Sequence, residues 1–182
     1  MEKIDQERSI NLSHLKIRPV KKEDLQALEW EGAYKKYRRM YADIFYSTLF
    51  QKSLMWVVEI EGKGIIGQAF VILKSTALDL ADRDGKRRAY LFGFRIREAW
   101  RNMGVGSYLM GFIEGDLSKR GYHIITLNVD KDNVDALRLY QRLGYQIAGS
   151  HAGKWSYVDD QGDLQYVNEP SWRMVKGISG DR

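Results

Sequence analysis

Residues 90–145 constrain the fold most, because the apolar spacing changes period three times within them. Residues 90–97 are a long run of aromatic and aliphatic side chains of the kind a strand takes. The loop 98–103 leads into a segment from Gly104 to about Arg120, where Val105, Leu109, Phe112, Ile113 and Leu117 recur at helical spacing. Residues 123–129 read as a strand of buried type, and residues 133–143 as a helix that Gly144 ends in the C′ position. A helix between neighbouring strands implies at least one right-handed parallel crossover within a mixed sheet.

The flanking segments extend this pattern. Leu15, Ile17 and Val20 suggest a short first strand, ended by Pro19 and the polar residues 21–24. From there to Phe50, the positions Leu25, Leu28, Tyr34, Tyr37, Tyr41, Ile44, Phe45 and Leu49 predict two consecutive amphipathic helices, broken near Gly32. Residues 54–60 and 65–73 form a hairpin around the turn residues Glu61-Gly62-Lys63-Gly64. Residues 79–88 carry both charges densely and read as an exposed loop. The tail 145–176 alternates as a strand and a hairpin, with residues 159–163 as the turn.

At 182 residues the chain suits one domain, expected over residues 14–177 between an N-terminal arm, 1–13, and a tail, 178–182. No apolar run approaches the roughly 18 residues of a membrane span. With no cysteine there is no disulfide and no thiolate metal site. A cytoplasmic protein without membrane or metal follows as the expectation. The net charge of +5 favours anionic partners, either nucleic acid or a phosphate-rich ligand. Arg83, Lys86, Arg87 and Arg88 are the densest basic patch, but Asp79, Asp82 and Asp84 dilute it and no base-reading motif accompanies it, so nucleic acid is disfavoured. His14, His123 and His151 lack metal-ligand spacing.

The chemistry concentrates in Arg101-Asn102-Met103-Gly104-Val105-Gly106, between a strand and a helix. Two glycines one residue apart let the backbone turn tightly and approach a ligand. The first amides of the following helix lack internal partners and sit at the positive end of its dipole, which suits a pyrophosphate. Arg101 and Arg97 could add charge-assisted contacts. Taken alone, the loop reads better as a tight strand-to-helix turn with no ligand. Leu109 fills the third glycine position of G-x-G-x-x-G, and a Walker lysine is missing, which disfavours dinucleotides and ATP.

Residues 94–106 resemble the (Q/R)-x-x-G-x-(G/A) segment of the GCN5-related N-acetyltransferase family. Residues 127–145 are similar to that family's L-x-V-x-x-x-N-x-x-A-x-x-L-Y-x-x-x-G-(F/Y) segment at every fixed position. The resemblance implies an α/β fold with a mixed, mostly antiparallel twisted sheet of about seven strands, one parallel splayed pair and about four flanking helices. It implies acetyl-CoA as co-substrate, with pantetheine paired to the backbone of Phe94 and Ile96. Pyrophosphate would rest on the amides of Met103, Gly104, Val105, Gly106 and Ser107 near Arg101, and Asn133 would contact the cofactor arm. Asn133 suits a helix N-cap equally well. Tyr140 matches the tyrosine that protonates the departing thiolate, and Leu139 beside it reads as core. The reaction implied is direct attack of an uncharged amine on the thioester, with a backbone N–H near Ile96 holding the oxyanion.

The sequence departs from the pattern at Asn128, where some family members place a base-like Glu. An amide is no base, so Asn128 is expected to hold a water, or a base comes from Glu29, Glu31 or Glu59. Trp30, Tyr34, Tyr37, Arg38 and Tyr41, with Trp155, Tyr157, Tyr166 and Trp172, fall in the segments that flank the acceptor channel in this family. Most read as core, and a subset could cage an amine cation. The pair Arg38-Arg39 could instead meet an acidic acceptor. The acceptor itself, a small molecule or a peptide, is not legible, and a homodimer is open. The competing reading is a non-catalytic acyl-CoA sensor, which the lack of a base at Asn128 would suit.

Overall fold

The computed structural model describes residues 10–73 and 87–178. Strands β1 (Leu15–Pro19), β2 (Ser53–Ile60), β3 (Gly64–Ile72) and β4 (Arg88–Ile96) follow one another antiparallel, with helix α1 (Arg38–Thr48) between the first two. Helix α2 (Val105–Lys119) then carries the chain to β5 (Ile124–Asp130), which pairs parallel with β4. After α3 (Val134–Arg142) come β6 (Gln146–His151), the hairpin β7 (Lys154–Val158) and β8 (Leu164–Asn168), and β9 (Ser171–Gly177). The twisted sheet has seven strands in the order β1-β2-β3-β4-β5-β9-β6, and β7 and β8 form a separate pair. The expected mixed α/β architecture with one parallel pair is therefore present.

The sheet is buried on both faces, which explains the unbroken apolar runs of β2 and β3. On one face Trp56, Val58, Ile66 and Leu91 pack against Val105, Leu109, Met110, Ile113 and Leu117 of α2. On the other, Met55, Val57 and Phe70 pack against Leu28, Tyr37 and Tyr41. Phe112, expected on the apolar face of α2, stands at its margin, 39% exposed and edge-on to Trp56. Ile10 packs on the first cluster and Leu12 opens a short 3-10 turn, its carbonyl accepting from Leu15 N–H, so these two residues of the expected N-terminal arm are held.

The structure corrects two readings. Of the two helices expected between Leu25 and Leu49, only α1 forms; 3-10 turns at Lys22–Asp24, Ala27–Glu29 and Lys35–Tyr37 replace the other. The chain leaves helical geometry at Trp30 (φ 46°), Glu31 (φ 55°) and Gly32 (φ 94°). That departure takes the Trp30 indole inward, where Nε1 donates to buried Gln68 Oε1 at 3.0 Å. A buried indole N–H needs an acceptor, and this requirement outweighs the local helical period. The tail holds one strand more than expected: β6 and the β7–β8 hairpin are followed by β9, which inserts between β5 and β6. Gly153 makes the excursion possible, since at φ +66° a side chain there would overlap the Glu169 carbonyl.

Residues 79–86 of the expected charged loop, including Arg83 and Lys86, lie outside the described residues. Arg87 is occupied structurally. It donates to the Arg120 carbonyl at 3.0 Å and lies over the Tyr122 ring at 4.2 Å. No described helix is long and apolar enough to cross a membrane.

Candidate active site

The site begins at a bulge. Ala89 and Leu91 of β4 are buried against the α2 cluster, and so are Ile96 and, partly, Phe94. Odd positions face that side before Gly93 and even positions after it, a change of parity that requires one extra residue in the strand. The register against β3 shifts at this point, and Gly93 takes φ +59° with the Phe70 ring 2.5 Å from where a Cβ would stand. Gln68 Nε2 donates to the Gly93 carbonyl at 3.3 Å, which links the bulge to Trp30 through one buried amide.

The bulge bends β4 away from β5. Their parallel pairing runs from Arg88 and Ile124 to Leu91 and Leu127 and stops there, so residues 92–96 and 128–130 face each other unpaired. The Arg97 N–H points to β3, donating to Ile66 O at 2.8 Å. By the alternation of a strand, the backbone groups of Ile96 and Phe94 point the other way, into the opening. The Ile96 carbonyl accepts there from Arg101 Nε at 3.0 Å.

At one end of the opening lies the N-terminus of α2. Gly104 is its N-cap at φ +82°, with no side chain capping the helix, and Tyr108 N–H makes an early helical bond to Gly104 O at 2.9 Å. The amides of Val105, Gly106 and Ser107 thus precede any intrahelical acceptor. The two glycines differ. Gly104 supplies the left-handed turn, whereas a Cβ on Gly106 would sit 3.4 Å from Leu139 and 3.8 Å from Phe94. Those are ordinary contact distances, so the protein's own packing does not demand a glycine at 106, and Leu139 beside it is half-buried. Met103 packs on the core beside the loop. Arg97 is not part of the cradle: it grips Glu31 through both Nη atoms (2.7 and 2.8 Å), donates to Ile65 O and lies 4.9 Å over Trp30.

Beside the opening stand Tyr140 and Asn128. Asn133 Oδ1 caps α3 by accepting from Ala136 N–H at 3.1 Å, which orients the helix that carries Tyr140. Tyr140 is 7% exposed between Phe94 (6.1 Å) and Tyr145 (5.7 Å), and its hydroxyl has no side-chain partner among the described residues. Burial, helped by nearby Tyr90, pushes its pKa far above that of a free phenol and keeps it protonated. Asn128 Nδ2 contacts the Tyr90 hydroxyl at 3.4 Å, while its Oδ1 is buried with no partner. A buried acceptor without a donor costs roughly 1–3 kcal/mol, which a ligand N–H or a water would recover.

The three candidate carboxylate bases are all committed elsewhere. Glu29 is clamped by Arg38 at 2.6 and 2.8 Å. Glu31 is held by Arg97, whose hydrogen bonds lower its pKa, and Glu59 by Arg18 at 2.9 Å with the same effect. A carboxylate held below its usual range is a poorer base. The aromatic cage expected for an amine cation does form, but the chain fills it. The Arg95 guanidinium lies 3.9 Å over Tyr34 and 5.8 Å from Tyr37, and Nη1 donates to the Tyr41 hydroxyl at 2.6 Å. Tyr37 in turn packs on Tyr157 and Trp155 of the hairpin. Tyr166 is 81% exposed and outside this group, and Trp172 lies under Lys131 at 4.2 Å.

Sequence reasoning missed Gln68, Gly93, Tyr90, Arg95 and Arg173. Only the glycine left a signal, as the interruption at which Ala89 and Leu91 give way to Phe94 and Ile96.

The comparisons with known proteins agree on the fold. The model of the acetyltransferase (GNAT) family matches residues 22–145. No curated protein matches the chain. Among solved structures, the ribosomal-protein-S18-alanine N-acetyltransferase of Escherichia coli is similar at 21% identity and a TM-score of 0.63, over 92% of this chain and 96% of that one. An N-acetyltransferase of Staphylococcus aureus Mu50 superimposes with a TM-score of 0.67 at 18% identity, over 91% and 99% of the two chains. A chimera of the Vibrio cholerae spermidine N-acetyltransferase SpeG and hSSAT gives 0.66 at 17%, over 89% and 94%. At such identities the likeness concerns the fold, and enzymes named for a protein alanine and for a polyamine show that this fold does not dictate the acceptor. With the family model spanning residues 22–145, across the β4–β5 opening to the end of α3, the chain belongs to the GNAT acetyltransferase family.

Proposed function

We propose that this chain transfers the acetyl group of acetyl-CoA to a primary amine by direct attack of the nitrogen on the thioester. The observation that carries this reading is the β4–β5 opening, which has helix amides at one end and a buried phenol and an unpartnered amide oxygen beside it. The backbone of Phe94 and Ile96 would hold pantetheine as an added strand edge. The amides of Met103, Gly104, Val105, Gly106 and Ser107, with Arg101, would hold the pyrophosphate, and the Asn133 side chain, though it caps α3, would reach the cofactor arm through Nδ2.

In the reaction the amine nitrogen forms a bond to the acetyl carbon, and the carbon–sulfur bond breaks. A backbone N–H near Ile96 steadies the developing oxyanion. Tyr140, kept protonated by burial, donates its proton to the departing sulfur and regains one from the reaction of the amine. Asn128 Oδ1 accepts an N–H of the attacking amine, or a water that receives its proton. With Glu29, Glu31 and Glu59 committed to arginines, the amine loses its proton to water and not to a carboxylate of this set.

The commitment of those carboxylates also favours a second reading, a sensor that binds acyl-CoA without turnover. Thiol release from acetyl-CoA, followed over a panel of primary amines with the product identified by mass spectrometry, separates the two. Tight binding of acetyl-CoA with no release above the rate without enzyme would exclude the transferase.

A further inference from the structure

The acceptor side of the opening carries one charged group that neither the fold nor the proposed chemistry uses. Arg173 on β9 stands directly opposite Asn128 on β5 in the antiparallel register, so both side chains project from the same face. Asn128 in turn reaches the Tyr90 hydroxyl, the group one strand further on. Arg173 is thus one strand from the residue whose oxygen awaits a donor, at the point where β4 and β5 part. It is exposed, and among the described residues no carboxylate is paired with it.

Asp130, two residues along β5 from Asn128 and on the same face, stands opposite Ser171 and not opposite Arg173. Glu29, Glu31 and Glu59 are neutralised by Arg38, Arg97 and Arg18. The aromatic group that would welcome a cation holds Arg95, whereas Lys131, over Trp172, belongs to the opposite face of β9. The exposed carboxylate of Glu169 lies towards Tyr37, on the hairpin side. A polycation entering here meets fixed positive charge, whereas a carboxylate finds a planar two-pronged donor.

We infer that Arg173 reads a carboxylate on the acceptor, and that the substrate is an amine bearing a carboxylate within a few bonds of its nitrogen. The nitrogen lies against Asn128 Oδ1, and the carboxylate bridges sideways to the guanidinium. This rests on the acetyltransferase reading and adds the substrate class to it. Two sources share this chemistry, a free amino acid and a peptide whose first residue is acidic.

The test compares kcat/KM for matched acceptors in the presence of acetyl-CoA: an amino acid against its amide, a peptide beginning with Asp against one beginning with Asn, and spermidine. One pair or the other is expected to show about a tenfold preference for the acid, the size of one charge-assisted contact. Whichever pair shows it identifies the source. The preference should collapse towards unity in Arg173→Gln and persist in large part in Arg173→Lys, with thermal unfolding showing that both variants fold. Equal rates for acid and amide, a preference that survives Arg173→Gln, or spermidine as the best acceptor would each overturn the assignment while leaving the transferase reading intact. Absence of acetyl-CoA binding, measured separately by calorimetry, would overturn both.

Discussion

Tyr140 and Gly104 show how one residue type acquires a task from its surroundings. A phenol with a raised pKa is a weaker acid than a free one, but it stays neutral and keeps its proton available at any physiological pH. Replacing it by Phe removes the donor and keeps the ring contacts with Phe94 and Tyr145. Tyr140→Phe should therefore lower kcat by about a hundredfold, the lower range of general acid catalysis, with acetyl-CoA affinity nearly unchanged. Steady-state rates with a direct binding measurement check this, and an unchanged kcat removes the tyrosine from the mechanism. Gly104 has room for a side chain, the nearest atoms being Leu12 at 3.9 Å, but not the conformation for one, at φ +82°. Gly104→Val should cost about 1–2 kcal/mol in strain or re-form the turn, and in either case weaken acetyl-CoA binding while the protein still folds. Calorimetric titration beside a thermal melt is the measurement.

Among the elements, β4 carries the most consequence, and its decisive residue is Gly93. The bulge turns Phe94 and Ile96 towards the α2 cluster and sends Arg95 to the opposite face, among Tyr34, Tyr37 and Tyr41. A side chain at Gly93 would combine positive φ with collision against Phe70. Gly93→Val should destabilise the protein by about 3 kcal/mol, from strain and overpacking together, seen as a lower midpoint in urea. An unchanged midpoint would mean that the strand needs no glycine there. The segment before α1 gives the converse lesson: its helical period was legible, yet the demand of the Trp30 indole for Gln68 broke the helix.

Across the whole molecule, ion pairs join separate elements, most of them far apart in sequence. Arg18 ties β1 to Asp24 at 2.6 Å and to Glu59 of β2, Arg97 ties the end of β4 to Glu31, and Lys176 of β9 holds Glu114 of α2 at 2.7 Å. The hydrogen bonds from Arg18 hold Glu59 below the ordinary carboxylate range. A lowered folded pKa means that the contribution is complete above the unfolded value, near 4.3, and is lost as pH falls through the folded one. Arg18→Ala should therefore cost about 1–2 kcal/mol at neutral pH, moderated by partial exposure of the group. The difference from the parent should shrink below about pH 4 as the carboxylates protonate. Urea unfolding at pH 7 and pH 3.5 tests both the size and the direction, and a difference that grows on acidification would refute the linkage.

The strand, loop, helix, strand and helix between Tyr90 and Tyr145 were legible along the chain, together with the glycine turn, the Asn133 cap and the tyrosine of α3. These are local matters of period, conformation and capping, and a single stretch of chain contains all that decides them. The acceptor side, by contrast, took its form from contacts between remote segments. Glu29, Glu31 and Glu59 read as free carboxylates until their arginines, distant in sequence for two of them, came alongside. The aromatic residues of the early helical segment and the hairpin read as a cage without revealing that Arg95 fills it. Arg173 had no reading at all, because its meaning comes from standing opposite Asn128 across two strands that are separated in sequence by the excursion through α3, β6 and the hairpin. Charge and packing between remote strands depend on register, and register is set by the fold as a whole.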